Sequence, residues 1–228
     1  MGEDLFWAIR GRGRASFGII VAWKIKLVQV PPVVTVFTIR KKMDLEGTKL
    51  VHKWQHIANN LPKELFIRVI IQSPGIDSKD NEKTVKALFN SLFLGPVNEL
   101  LPIMDKSFPE LGLQAEDCIE MSWIESILHF PGYERGQTLE VLLDRTVHDE
   151  SYFKAKSDFV EEPIPKSAWE KVREMFLDGI TRDMILDPFG GRMDEISESE
   201  LPFPHRKGNL YNKQYLSGGR RHFRLGGQ

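Results

Sequence analysis

One stretch near the end of the chain limits the fold most. It runs Gly190-Gly191-Arg192-Met193, then Pro202-Phe203-Pro204-His205-Arg206, then Leu210-Tyr211-Asn212-Lys213-Gln214-Tyr215-Leu216. The glycine pair permits a turn with positive φ. Pro202 and Pro204 hold the backbone extended and exclude a helix. Leu210 to Leu216 reads as a strand, in which successive side chains point to opposite faces. Tyr211, Lys213 and Tyr215 then share one face, and Asn212 and Gln214 share the other. Two neutral amides side by side suit the orientation of a ligand. An ordinary sheet face turned toward water shows the same pattern.

A chain of 228 residues can hold one large domain or two small ones. Its net charge of −1 supplies no field for nucleic acid or an acidic membrane. The single Cys118 excludes an internal disulfide and a cysteine metal cluster. No apolar run approaches the ~18 residues that span a bilayer. Met1 is followed by Gly2-Glu3-Asp4, which is not a signal peptide, and there is no Asn-x-Ser/Thr acceptor. Alone, this points to an intracellular chain, and equally to one whose N-terminal part is missing. The compartment stays open.

Along the chain, Glu3 to Arg10 reads as a short helix with acids at its positive end. The following Gly11-Arg12-Gly13-Arg14-Ala15-Ser16-Phe17-Gly18 contains Gly-x-Gly, but Ser16 stands where a dinucleotide fingerprint needs glycine, and a helix precedes it. Phe17 to Val30 alternates as a long strand, ended by Pro31-Pro32. Strands are expected at Val33–Arg40, Glu64–Gln72, Thr84–Leu94, Ser151–Val160 and Asp183–Pro188. Helices are expected at Leu45–Leu61, from Gly95-Pro96 to Met104, at Cys118–Phe130, Leu139–Arg145 and Pro165–Gly179. His52 and His56, four apart on a helix, have metal-binding spacing but lack a neighbouring third ligand; a solvated pair fits as well. His148, Asp149 and Glu150 form either an acid–base cluster or a solvated turn. The element order gives an α+β fold: an antiparallel or mixed sheet with helices packed on one face.

Several words in the chain resemble the berberine bridge enzyme-like FAD-linked oxidoreductases of plants. They are Gly2-Glu3-Asp4-Leu5-Phe6-Trp7-Ala8-Ile9-Arg10-Gly11, Ala15-Ser16-Phe17-Gly18-Ile19-Ile20, Trp23-Lys24-Ile25-Lys26-Leu27-Val28, Lys86-Ala87-Leu88-Phe89-Asn90-Ser91-Leu92-Phe93-Leu94-Gly95, Ser107-Phe108-Pro109-Glu110-Leu111-Gly112-Leu113, Met121-Ser122-Trp123-Ile124-Glu125-Ser126 and Lys154-Ala155-Lys156-Ser157-Asp158-Phe159-Val160, together with the opening stretch. The resemblance runs from the first residues to about Leu216.

It implies that residues 1–30 are the last helix and strand of an FAD-binding domain, and that 31–216 form a substrate domain whose open sheet face closes over the flavin. It implies FAD as cofactor, contacted by Gly11, Gly13, Ser16, Phe17, Gly18 and Ile19, where absent side chains let backbone N–H groups approach a pyrophosphate. It implies a hydride passed from an alcohol, sugar or alkaloid-like small molecule to the flavin. Gln214 and Asn212 carry over as site residues, with Asp187 beside them. Some members place Glu at the Asn212 position as a base; Asn cannot take that proton at neutral pH. The family's covalent-attachment His and Cys lie in an N-terminal half absent here, and neither Cys118 nor any histidine matches them. That missing half is the implied protein partner. Family members are largely secreted.

The chain departs from the family at Arg12 and Arg14, where glycine is usual, and at Lys213, where an apolar residue is usual. It departs again after Leu216, where residues 217–228 read as a disordered basic, Gly-rich tail. Lacking both the attachment region and the Tyr-bearing segment with which the family continues, the chain is expected to be an incomplete catalyst; the rival is a non-catalytic fragment that binds a partner or merely folds poorly.

Overall fold

The computed structural model describes residues 2–11, 17–74, 84–133, 136–145, 151–177 and 183–220. Arg12, Gly13, Arg14, Ser16, the His148–Glu150 cluster and residues 221–228 lie outside them.

The core is one seven-stranded sheet, antiparallel at every pairing, in the order β4-β1-β3-β2-β6-β7-β5. The strands are β1 Val34–Lys42, β2 Leu65–Gln72, β3 Lys86–Phe93, β4 Cys118–Met121, β5 Ser151–Val160, β6 Asp183–Pro188 and β7 Tyr211–Arg220. The helices are α1 Glu3–Gly11, α2 Leu45–Ile57, α3 Val97–Ser107, α4 Trp123–His129, α5 Lys166–Leu177 and α6 Arg192–Glu195.

Alternation decides which face is covered. In β2 the burial alternates residue by residue, with Leu65, Ile67, Val69 and Ile71 inside. They join Phe37, Ile39, Ala87, Phe89, Met184, Leu186 and Tyr211 in one core. Helices close it: α2 contributes Val51 and Trp54, α3 contributes Leu100 and Met104, and α5 contributes Trp169 and Phe176. Asp44 starts α2 by accepting from the Glu46 and Gly47 amides. The short α4 is the exception to one-sided cover. It contacts β1, whose Val34 and Val36 are fully buried on the face opposite Phe37.

Three expectations need correction. Cys118–Phe130 is not a helix: Cys118–Met121 pairs with β1, and the helix begins only after Ser122. Ser122 and Glu125 make a reciprocal capping box there, which stops the helix from reaching back. Phe17–Val30 forms no strand, and no backbone hydrogen bond ties it to another described segment. Its apolar side chains stand in water, Ile19 and Val21 each 94% exposed. Alternation creates a strand only where a neighbouring strand takes the hydrogen bonds. Finally, 217–220 are not a disordered tail. They extend β7, and the ladder with β5 runs on to Ser151 opposite Arg220.

Tyr211 fixes β7 to the helix layer. It is fully buried, its ring lies 5.3 Å from that of Trp54, and its hydroxyl donates to Gln55 Oε1 at 3.0 Å. Gln55 also accepts from the Ile164 amide and donates to the Ile164 carbonyl, tying α2 to the segment before α5. Trp54 Nε1 donates to the Ile67 carbonyl of β2. Tyr211→Phe removes one hydrogen bond and is expected to cost about 1 kcal/mol. Trp54→Ala opens a cavity in the same place and is expected to cost about 3–5 kcal/mol. Urea unfolding of both variants checks the ratio.

Candidate functional site

With Tyr211 inward, Asn212 and Gln214 point to the uncovered face of the sheet, as the strand period requires. The ladders then set a row across that face. Thr38 stands opposite Asn90, and Asn90 opposite Arg68. Val69 faces Leu186, so the next pair along is Arg68 and Asp187. Asp187 stands opposite Asn212, and Asn212 opposite Phe159. Directly opposed residues of antiparallel strands share a face, so these six side chains form one line. Gln214 sits in the adjacent line, opposite Ile185 and Ser157.

The polar members are partly satisfied by one another. Arg68 Nε donates to Asp187 Oδ1 at 2.8 Å, and Nη2 reaches the same oxygen at 2.8 Å. Asn90 Nδ2 donates to Thr38 Oγ1 at 2.8 Å. Asn212 Nδ2 donates to the Asp158 carbonyl at 3.4 Å, and Gln214 Nε2 donates to Ser157 Oγ at 3.2 Å. Among the described residues nothing donates to the amide oxygens of Asn90, Asn212 and Gln214, which remain as acceptors on the open side. Asp187, expected as a catalytic candidate, is thus ion-paired with Arg68.

The loop between β6 and β7 folds over one end of this row. Phe159 stacks on His205 with ring centres 3.8 Å apart and planes 16° from parallel. Phe189 and Phe203 meet the same Phe159 edge-on at 5.5 and 6.1 Å. The glycine pair aims this loop. Gly190 has φ of +113°, and a Cβ there would lie 2.2 Å from the Asn59 carbonyl oxygen. Either fact alone selects glycine.

The α1 helix docks on the same loop: Trp7 Nε1 donates to the Ser199 carbonyl at 2.8 Å. A Cβ on Gly11 would strike Pro202 at 2.2 Å, so packing against that proline accounts for this glycine. Gly18 is different. Its φ is +142° and nothing lies within 4 Å of where its Cβ would be, with Phe17 and Ile19 exposed beside it. The backbone at Gly18 is therefore open to approach from outside the chain.

Lys213 lies on the helix side. Its ammonium sits 5.4 Å from the Tyr215 ring centre, opposite Asp158 of β5. Burial, then the neighbouring Tyr215, pushes the Tyr211 phenol well above its ordinary pKa, so it stays a hydrogen-bond donor. His52 and His56 lie with ring centres 4.9 Å apart; burial, then His56 and Lys166, holds His52 below the usual histidine value. Among the described residues no group of three His, Cys, Asp or Glu gathers in metal-binding geometry, and no helix is long and apolar enough to cross a membrane.

The chain is 51% identical over 217 residues to berberine bridge enzyme-like 22 of Arabidopsis thaliana, covering 95% of itself and 40% of that protein. It is 51% identical over 221 residues to tetrahydroberberine oxidase of Berberis wilsoniae, covering 95% of itself and 42% of that enzyme. The chain is a member of the berberine bridge enzyme-like family. Among solved structures it matches Phl p 4, a grass pollen allergen with glucose dehydrogenase activity, with a TM-score of 0.88 and 41% identity, over 97% of this chain and 43% of that one. No family model matches. The chain spans about 40% of the length of the curated relatives it matches.

Sequence reasoning missed Arg68, Asn90 and the Phe159, Phe189, Phe203 and His205 group. For Arg68 a signal existed: a charge set between Ile67 and Val69 in a strand otherwise apolar. The aromatic group had none, because only the fold brings those residues together.

Cys118 lies at the sheet edge, its thiol donating to the Gln114 carbonyl at 3.6 Å. Burial first, then Asp117 and Glu120, pushes the thiol up to about 11. It should therefore hold about a hundredfold less thiolate at pH 7 than an ordinary cysteine. Alkylation by iodoacetamide should be correspondingly slow and should accelerate tenfold per pH unit to about pH 10. Alkylation at the rate of a free thiol contradicts this.

Proposed function

We propose that this chain is the substrate-binding part of an FAD-linked oxidoreductase. In this reading residues 1–30 complete an FAD-binding domain and 31–216 form the substrate domain. The observation that carries it is the open face on which Asn212 and Gln214 stand, turned away from the helix layer by the burial of Tyr211. FAD, when bound, accepts a hydride from a substrate carbon.

The chain's own residues bind and orient. Gln214 and Asn212 present amide oxygens to a substrate hydroxyl and hold it in register; neither accepts a proton at neutral pH. Asp187 holds Arg68, and the Phe159–His205 stack walls one end of the face. Gly18 leaves backbone open to the cofactor. The uncovered apolar side chains of residues 17–30 support a chain that works against a further layer of polypeptide. Alcohols, sugars and alkaloid-like compounds are the substrate classes to test.

The test is reconstitution. The chain is co-expressed with the part of the Arabidopsis relative that it does not cover. The expected product is a yellow complex whose flavin absorbance bleaches anaerobically with an alcohol, a sugar or an alkaloid, and Gln214→Ala slows bleaching at least about tenfold. A complex that takes up no FAD, or that takes it up and never bleaches, favours a non-catalytic binding module instead.

A further inference from the structure

We infer that the Arg68–Asp187 pair selects the ligand of the open face, admitting a neutral, hydroxyl-bearing ring compound over an acid or an amine of the same shape. The inference rests on the reading of that face as the substrate side, and it narrows the substrate class.

Both members are within reach of a solute: their side chains are 34% and 33% exposed, at the middle of the row. Arg68 spends Nε and Nη2 on a single carboxylate oxygen, Asp187 Oδ1. Among the described residues nothing takes Arg68 Nη1 or Asp187 Oδ2. The pair is therefore neutral as a whole, and it offers guanidinium N–H donors together with a carboxylate oxygen.

A hydroxyl matches that offer, because it accepts through its oxygen and donates its hydrogen. A carboxylate can use only the guanidinium and is repelled by Asp187. An ammonium can use only Asp187 and is repelled by Arg68. Discrimination of this kind comes as much from the repulsive contact as from the attractive one. The flanking amides extend the match. Asn90 and Asn212 both turn their NH2 groups onto protein acceptors, which leaves two more oxygens for hydroxyl hydrogens.

The lines on either side of the row are apolar at their centre, and the second of them ends in Arg40 beyond Leu88 and in Gln214 and Ser157 beyond Ile185. Phe66 stands opposite Leu92 on one side; Leu88, Ile70 and Ile185 stand opposite one another on the other. All five are partly exposed, and they suit the C–H faces of a ring lying across the strands. The guanidinium also rests 5.4 Å from the Phe66 ring centre, which limits where it can swing.

Glucose, glucosamine and glucuronate share a ring and differ in charge at neutral pH, so they isolate the electrostatic part. Each is titrated into the purified chain and followed by nuclear magnetic resonance. Glucose is expected to bind more tightly than either charged analogue by about fivefold or more. Asp187→Asn leaves the cation unbalanced and should turn the preference toward glucuronate. Arg68→Met leaves the anion and should turn it toward glucosamine. Circular dichroism verifies that each variant is folded, and the apolar double variant Arg68→Met with Asp187→Leu keeps the test open if a single variant unfolds: it should lose all charge preference. Absence of glucose binding, or a charge preference unchanged across the folded variants, overturns the inference. Flavin uptake and bleaching in the reconstituted complex read the parent proposal separately. A complex that bleaches while the charge preference stays fixed refutes this inference alone.

Discussion

The burial of Tyr211 is the contact on which the rest depends. Its ring lies against Trp54 and its hydroxyl on Gln55, which in turn grips Ile164. Three elements are thereby tied at one point: β7, α2 and the approach to α5. Because side chains alternate along a strand, the same contact decides where Asn212 and Gln214 go. A register slip of one residue would exchange the two faces. It would then drive both amides into an apolar layer, where unpaired polar groups cost roughly 1–3 kcal/mol each. The open face is thus enforced from the opposite side of the sheet.

Once the register is set, the open face is assembled by pairing alone. Arg68 comes from β2, Asp187 from β6 and Asn212 from β7, each placed by ladders that extend well beyond it. A charge in the centre of a partly exposed sheet face is tolerable because Asp187 neutralises it at hydrogen-bond distance. The loop from Gly190 to Asn209 completes the arrangement, since its return path lays His205 and Phe203 over Phe159. Gly190 is what allows the loop to pass so close to Asn59.

Much of this was legible in the sequence, and the reasons are local. The strands at β2, β3, β5 and β6, and the stripes of α2 and α5, follow from alternation and from helical spacing. The faces of Tyr211 and Asn212 were legible for the same reason. Cys118–Phe130 misled because Met121, Ile124 and Leu128 fall at helical spacing, while the decisive Ser122–Glu125 box lies inside that run. Phe17–Val30 misled because alternation describes a strand only in the presence of its neighbour. The Gly-rich end misled in the other direction: a backbone ladder needs no side-chain pattern, and β5 supplies the partner. The Arg68–Asp187 pair and the ring cluster join residues far apart in the chain, and no local rule finds such pairs.

The central claim is that the core and the candidate site lie on opposite sides of one strand. A nuclear Overhauser spectrum of the labelled chain tests it directly. The account predicts cross-peaks between the Tyr211 ring and the Trp54 indole, and between the Asn212 amide and the Phe159 ring, with no contact from the Asn212 or Gln214 amides to the helix layer. Cross-peaks from either amide to Trp54 or Trp169, with Tyr211 facing water, would contradict it.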